Sequence, residues 1–295
     1  MNRIPYLFLS LLILGACSTK NQEPDAYGNF EAVEYTVSAE AQGRLLLFKV
    51  EEGDLLEKGA FVGLVDTVQL YLKKAQLIAQ KKLSASKLAN IESQITTLGE
   101  QKKNLLRDKQ RVYAMLKDDA VPRKQLEDIE GNLNVLESQI AAAKTQFDAV
   151  REEMSMVEKQ VEQTSDQILR CYIKNPVSGT ILEKFTEQSE LVSSGKPLYK
   201  VADLEKLELT AYLSGKQLSS AKIGDSVLIA YDSGTPKLAS KKGIISWISA
   251  KAEFTPKIIQ TREERVNLVY AIKVRIWNNG EMKIGMPGEV HFIKK

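Results

Sequence analysis

Two stretches of the chain, from about Thr67 to Leu116 and from Pro122 to about Leu169, contain no internal proline and are densely charged. Both therefore read as helices. The second carries Leu126, Leu133, Ile140, Phe147, Met154, Val161 and Ile168 at steps of seven. Ile129, Leu136, Ala143, Val150, Val157 and Thr164 each follow three residues later, completing the a/d seam of a coiled coil. The first helix carries Leu70, Leu77, Ser84, Ile91, Leu98, Leu105 and Val112 at the same step. Its other seam mixes Leu88, Ile95 and Leu116 with Lys74, Lys81, Lys102 and Lys109 and is weaker.

Facing residues of an antiparallel hairpin must share a constant number sum. Val112 with Leu126, Leu105 with Leu133, Leu98 with Ile140, Ile91 with Phe147, Ser84 with Met154, Leu77 with Val161 and Leu70 with Ile168 all sum to 238. The two helices are thus in register. The same arithmetic sets Lys109 against Ile129 and Lys102 against Leu136, where lysine stems cover apolar surface and the ammonium groups reach water. Each helix, at 1.5 Å per residue, extends roughly 75 Å. The turn Lys117-Asp118-Asp119-Ala120-Val121-Pro122 combines Asp-type turn chemistry with a proline at a helix start. Gly99 and Gly131 interrupt good helix formers and read as tolerated defects of about 1 kcal/mol each.

The hairpin interrupts a repeat. Gly43 to Asp66 aligns without a gap with Gly179 to Ala202 at a constant offset of 136. Leu45 meets Ile181, Leu55 meets Leu191, Leu56 meets Val192, Val62 meets Leu198, Val65 meets Val201 and Gly59 meets Gly195, while Gly53 meets Ser189. Glycines at the bends and short β-rich runs between them describe two copies of one small sheet motif, which should pack face to face. The phrases Glu52-Gly53-Asp54 and Glu57-Lys58-Gly59 resemble those of a biotinyl/lipoyl carrier domain. Such carriers present a modified lysine on the hairpin joining the halves. Here Asp66 runs into the helix instead, so no cofactor is expected.

At the amino end, Arg3 precedes an apolar run from Ile4 to Leu14 that is too short to span a bilayer. The run closes with Leu14-Gly15-Ala16-Cys17, which resembles the bacterial lipobox and implies a lipidated Cys17. Cys171 is then the one remaining thiol, so an internal disulfide is excluded; its place between helix and strand suits a small buried hydrophobe. The tail alternates apolar and polar residues in Leu207 to Leu213, Ser226 to Tyr231, Lys242 to Ile248 and Val269 to Trp277, the strands of a small barrel. A short helix is expected at Gln217 to Ala221.

The expected fold is therefore mixed β with a long antiparallel coiled-coil hairpin, a split lipoyl-like β-sandwich and a small β-barrel. The expected boundaries are 1–16 for a lipoprotein-type signal, 17–35 for a lipid-anchored tether, 36–66 and 173–203 for the lipoyl-like halves, 67–172 for the hairpin and 204–295 for the barrel and terminal strands. This order of parts resembles the HlyD-like periplasmic adaptors, or membrane fusion proteins, of tripartite efflux and secretion machines. The resemblance implies a hexameric ring linking an inner-membrane transporter, ABC or proton-driven, to an outer-membrane channel. It implies inner-membrane anchoring through Cys17, although Ser18 would in some bacteria favour the outer membrane. Members often carry an Arg-x3-Leu-x6-Ser pattern at the hairpin tip. Here Arg111 fits, Met115 stands for the Leu with Leu116 beside it, and Pro122 stands for the Ser. With Asp118 and Asp119 these are the expected channel contacts, and by the same resemblance Gln188 is the expected pore-loop residue. Phe254 to Lys257, Gln260 to Arg265 and Gly285 to Gly288 are further phrases that look shared with such adaptors.

Other classes fit poorly. Net charge is +3, and basic residues alternate with acidic ones without aromatic interleaving, which disfavours nucleic acid. No Walker loop, Ser-His-Asp set or Gly-x-Gly-x-x-Gly occurs, and His291, the one histidine, reads as an edge-strand residue without further metal ligands. The chain reads as non-enzymatic. A structural coiled-coil lipoprotein without a transport role is the alternative, but it has no need of the repeated half-domain.

Overall fold

The computed structural model describes residues 23–235, 238–254 and 268–293. Two compact units result: residues 35–202 form one, and the segments on either side form the other. The described chain begins with a strand, β1 (Ala26–Glu31), which belongs to the second unit. This corrects the reading of 17–35 as a tether. Ala26 and Phe30 are buried while Tyr27 and Asn29 point outward, the period-two pattern of a half-buried strand.

The first unit contains β2 (Glu34–Ser38), β3 (Gly43–Phe48), β4 (Leu55–Leu56) and β5 (Phe61–Val65). Then come α1 (Val68–Lys117) and α2 (Arg123–Arg170). After them follow β6 (Tyr172–Lys174), β7 (Gly179–Lys184), β8 (Leu191–Val192) and β9 (Pro197–Ala202). The repeat offset reproduces the start of each of the three repeated strands. The halves exchange their short strands: one sheet runs β2-β9-β7-β4 and the other β6-β5-β3-β8.

Backbone hydrogen bonds obey the same two-fold relation. Gly53 N–H donates to Ile181 O at 2.9 Å, and its counterpart Ser189 N–H donates to Leu45 O at 2.8 Å. Ala39 N–H donates to Lys196 O and Asn175 N–H to Ala60 O, both at 2.9 Å. Neither half closes a core alone. Leu45, Val62 and Val65 pack with Ile181, Leu198 and Val201 in one fully buried cluster. Each such side chain contributes about 1.5–3 kcal/mol when removed from water. Buried Asn175 fixes the loops through its amide, which donates to Glu57 O at 3.1 Å and Val177 O at 2.6 Å; Tyr199 O–H donates to its Oδ1 at 3.2 Å. Burial pushes the Tyr199 phenol up to about 12.

The second unit adds β10 (Lys206–Ser214), α3 (Gly215–Leu218), β11 (Ser226–Tyr231), β12 (Ala239–Ile248), β13 (Glu253–Phe254), β14 (Leu268–Trp277) and β15 (Pro287–Phe292). The sheet order is β10-β1-β15-β11-β12-β14-β13, and β10 also pairs with β14, so six strands close into a barrel. Alternation on β10 is complete, with Leu207, Leu209, Ala211 and Leu213 inward. Strand β1 closes the gap between β10 and β15, so β15 and its His291 are interior to the sheet; the edge-strand reading of His291 is corrected. Gly28 permits this closure. A Cβ there would lie 2.0 Å from Thr210 O, so any side chain would push β1 off β10. The short helix begins at Gly215, slightly before the expected Gln217, because Ser214 and Gln217 form a capping box.

Candidate functional site: the hairpin tip

All seven paired positions of the sum-238 seam are buried or half-buried on both helices, Ser84, Ile91, Val112, Leu133 and Ile168 fully so. The ammonium groups of the weaker seam find partners as well as water. Lys81, Lys102 and Lys109 reach across to Glu158, Glu137 and Glu130 at 2.7, 2.8 and 2.9 Å. Each pair sums to 239, one step beyond the apolar register. The lysine stems cover the seam while interhelical ion pairs run along its rim. Each pair is exposed to solvent and screened by it, so its value lies in register more than in stability. Together they disfavour a shifted register.

This arm ends in a defined turn. Lys117 is the last residue of α1 and Asp118 its cap. Asp119 adopts φ +52°, its N–H donates to Leu116 O at 3.2 Å, and Ala120 N–H donates to Met115 O at 2.9 Å. These two bonds constitute a Schellman closure, with aspartate where glycine is usual. Pro122 sits one residue before the first turn of α2, at φ −66° and ψ 142°, rather than inside it. Its C=O accepts from Gln125 N–H at 3.1 Å.

The expected contact residues separate into two groups. Leu116 is half-buried in the seam, whereas Arg111, Met115, Asp118, Asp119 and Pro122 are exposed. Arg111 is the most open of the ion-paired side chains near the tip, at 71%, and its Nη2 donates to Asp108 Oδ1 at 2.7 Å, one turn back on the same helix. It does not pair with Glu127 or Asp128 across the turn. Tyr113 was not among the expected residues, yet its ring is 52% exposed and carries Lys117 Nζ 5.1 Å from its centroid. Its signal in the sequence is an aromatic one position off the seam. Arg111, Tyr113, Met115 and the aspartates thus supply a planar cation, an aromatic face, a flexible apolar group and two carboxylates within three helical turns.

Gln188 lies elsewhere, in the turn after β7. Its side-chain amide donates to Leu46 O at 3.0 Å, tying one half-domain to the other. Cys17 falls outside the described residues, as do Thr255 to Lys257 and Gln260 to Arg265. Cys171 is fully buried at the end of α2, its Sγ donates to Gln167 O at 3.3 Å, and burial pushes its thiol up. Among the described residues no cluster of three or more His, Cys, Asp or Glu could hold a metal ion, and no helix is long and apolar enough to cross a membrane.

No known protein-family profile matches the chain. A UPF0194 membrane protein encoded in the asrC 5′ region of Acidithiobacillus ferridurans is 26% identical over 328 aligned positions, covering 97% of this chain and 94% of the relative. A UPF0194 membrane protein of Yersinia pseudotuberculosis is also 26% identical, over 90% of this chain and 88% of its own length. Among solved structures, MacA from Actinobacillus actinomycetemcomitans superposes with a TM-score of 0.59 at 20% identity, over 90% of this chain and 76% of that one. The membrane fusion protein Spr0693 from Streptococcus pneumoniae R6 superposes with a TM-score of 0.56 at 16% identity, over 91% of this chain and 98% of that one. The chain has the fold of these two proteins.

Proposed function

We propose that this chain is a non-enzymatic periplasmic adaptor that links an inner-membrane transporter to an outer-membrane channel for efflux or secretion of a small molecule or peptide. One observation carries the proposal most directly: a register-locked arm is inserted between the two halves of a single closed domain. Such an arm places only its tip at a distant partner. The tip is closed by its own hydrogen bonds and leaves Arg111, Tyr113 and Met115 open. The transporter would supply energy from ATP or an ion gradient, and this chain would supply geometry and sealing.

The finer parts of the proposal follow the adaptor resemblance. Cys17 carries lipid and holds the chain at the inner membrane, and six copies form a ring. The turn bearing Gln188 faces the path, and the bond from Gln188 to Leu46 holds that turn in place. A photo- or thiol-reactive probe at Asp119 should capture an outer-membrane channel in cells. Failure to capture any channel, in cells where Arg111→Asp also leaves export intact, would falsify the docking role.

A further inference from the structure

The outer face of the barrel carries a groove of about 330 Å³ over β10, β1, β15 and β11. Strand register builds it. Tyr212 stands opposite Tyr27, Tyr27 opposite Glu289, and Glu289 opposite Ala230, in one row across four strands. Residues paired directly across an antiparallel ladder point to the same face. Two phenol rings, one carboxylate and a small floor therefore lie side by side. The neighbouring backbone of Gly28 and Gly288, which are themselves paired, widens the floor. Leu238 and Asp232, from the loop after β11, raise the far wall.

Among the described residues the charge of the lining has one sign. Among the described residues, Glu289 and Asp232 line the groove and no lysine or arginine does. Burial, and after it the Glu289 carboxylate, push the Tyr27 phenol up. Burial likewise pushes up the Tyr212 phenol. Both rings therefore stay neutral near pH 7 and offer π faces rather than further charge. Tyr27 and Leu238 remain 54% and 52% exposed, so these apolar walls are open to an occupant. The His291 imidazole stands 3.7 Å from Glu289 on the same strand, outside the lining.

We propose that this groove binds a small organic cation with an aromatic or apolar body, its charge against Glu289 and its body on the rings of Tyr27 and Tyr212. A cation over an aromatic face gains about 0.5–2 kcal/mol, more as water is excluded. An anion would meet two carboxylates, and a neutral apolar body would strip water from Glu289 without offering it a partner. The volume is at the lower end of the range for small-molecule sites, about 300–1,000 Å³. A folded partner would need a far larger area, about 800 Å² on each side. The inference stands on the groove alone and is independent of the docking role of the tip.

Calorimetric titration of the full chain with phenyltrimethylammonium tests it, with benzenesulfonate as the anion of similar size. The cation should bind saturably at one site and benzenesulfonate should not. Glu289→Gln and Tyr27→Ala each alter an outward side chain and should leave the circular dichroism spectrum unchanged. Each should weaken the cation by about tenfold, equivalent to about 1.4 kcal/mol. Three results would overturn the inference: no saturable cation binding at millimolar concentration, equal binding of the anion, or cation binding that both variants leave intact. Displacement of the cation by a tighter-binding oligolysine would do so as well, since it would assign the groove to a basic protein segment.

Discussion

Gly53 and Ser189 occupy the same turn on opposite sides of the pseudo-two-fold axis, and both hold positive φ, +93° and +76°. Each donates its N–H into the opposite half-domain, to Ile181 and Leu45. The divergence from glycine to serine was therefore not accompanied by a change of backbone. A side-chain-bearing residue in the left-handed region costs about 1–2 kcal/mol. Glycine recovers this, less about 0.5–1 kcal/mol for its greater freedom when unfolded. Ser189→Gly should accordingly raise the denaturation midpoint, and Gly53→Ser should lower it. Urea titration distinguishes the signs, and a lowered midpoint for Ser189→Gly would show that the turn is unstrained.

Gly99 and Gly131 lie inside uninterrupted helix, and a Cβ added at either meets nothing within 4 Å. Alanine should stabilise the hairpin by about 0.8–1 kcal/mol at each site. Thermal melts followed by far-UV circular dichroism provide the measurement. A loss of export in Gly99→Ala or Gly131→Ala, despite the expected gain in stability, would reveal a bend that the arm needs in use.

The interhelical pairs give the hairpin a pH dependence. Hydrogen bonding and then the charge of Lys102 hold Glu137 below the ordinary carboxylate value of 4.5, and Lys81 does the same for Glu158. A depressed folded pKa means that the contribution is fully present above 4.5 and is lost as pH falls through the lower folded value. Melting temperature should therefore decline on acidification below that point. Because both carboxylates are exposed, salt should suppress the effect. The double variant Glu137→Gln, Glu158→Gln should show a flatter acid limb, and an unchanged limb would remove the pairs from the account.

At the tip, Asp108 on the same helix is the one ion-pair partner of Arg111 among the described residues, an exposed pair that contributes at most about 1 kcal/mol. Arg111→Asp should hardly move the melting temperature yet abolish channel capture in cells. Arg111→Lys keeps the charge and loses the planar fork, so it should dock more weakly than wild type. Co-purification with the channel ranks the three proteins. Equal recovery of all three would place recognition on Tyr113 and Met115 instead.

Much of the fold was legible because two arithmetic relations run through the sequence. A seam that sums to one number fixes a hairpin register, and a repeat with one offset fixes a two-fold. Strand β1 escaped both. Its outward Tyr27 and its Gly28 blur the apolar-polar alternation, and its partners on β10 and β15 lie far away in sequence. The offset in fact reaches further than the glycine-to-glycine alignment, since Thr36 to Ser38 of β2 correspond to Tyr172 to Lys174 of β6. Those outer strands lack glycine landmarks. The ion pairs at Glu130, Glu137 and Glu158 were hidden for a different reason: a long lysine reaches past its facing residue to the next one. The row from Tyr212 to Ala230 could not be read at all, because it exists only once four strands from distant parts of the chain take their register.

The two ends of the hairpin leave from neighbouring strands. Val65 N–H donates to Cys171 O at 2.9 Å, Val68 N–H donates to Asp66 Oδ1 at 2.9 Å, and Arg170 is bonded to Glu40 at 3.1 Å. Both roots of the arm are thus clamped into the same sheet and cannot scissor apart, so the arm behaves as a lever with a stiff fulcrum. Over roughly 75 Å, a tilt of about four degrees at the root carries the tip through about one helical turn, 5.4 Å. On the proposed docking role, a tilt of a few degrees at the root is therefore enough to engage or release whatever the tip holds.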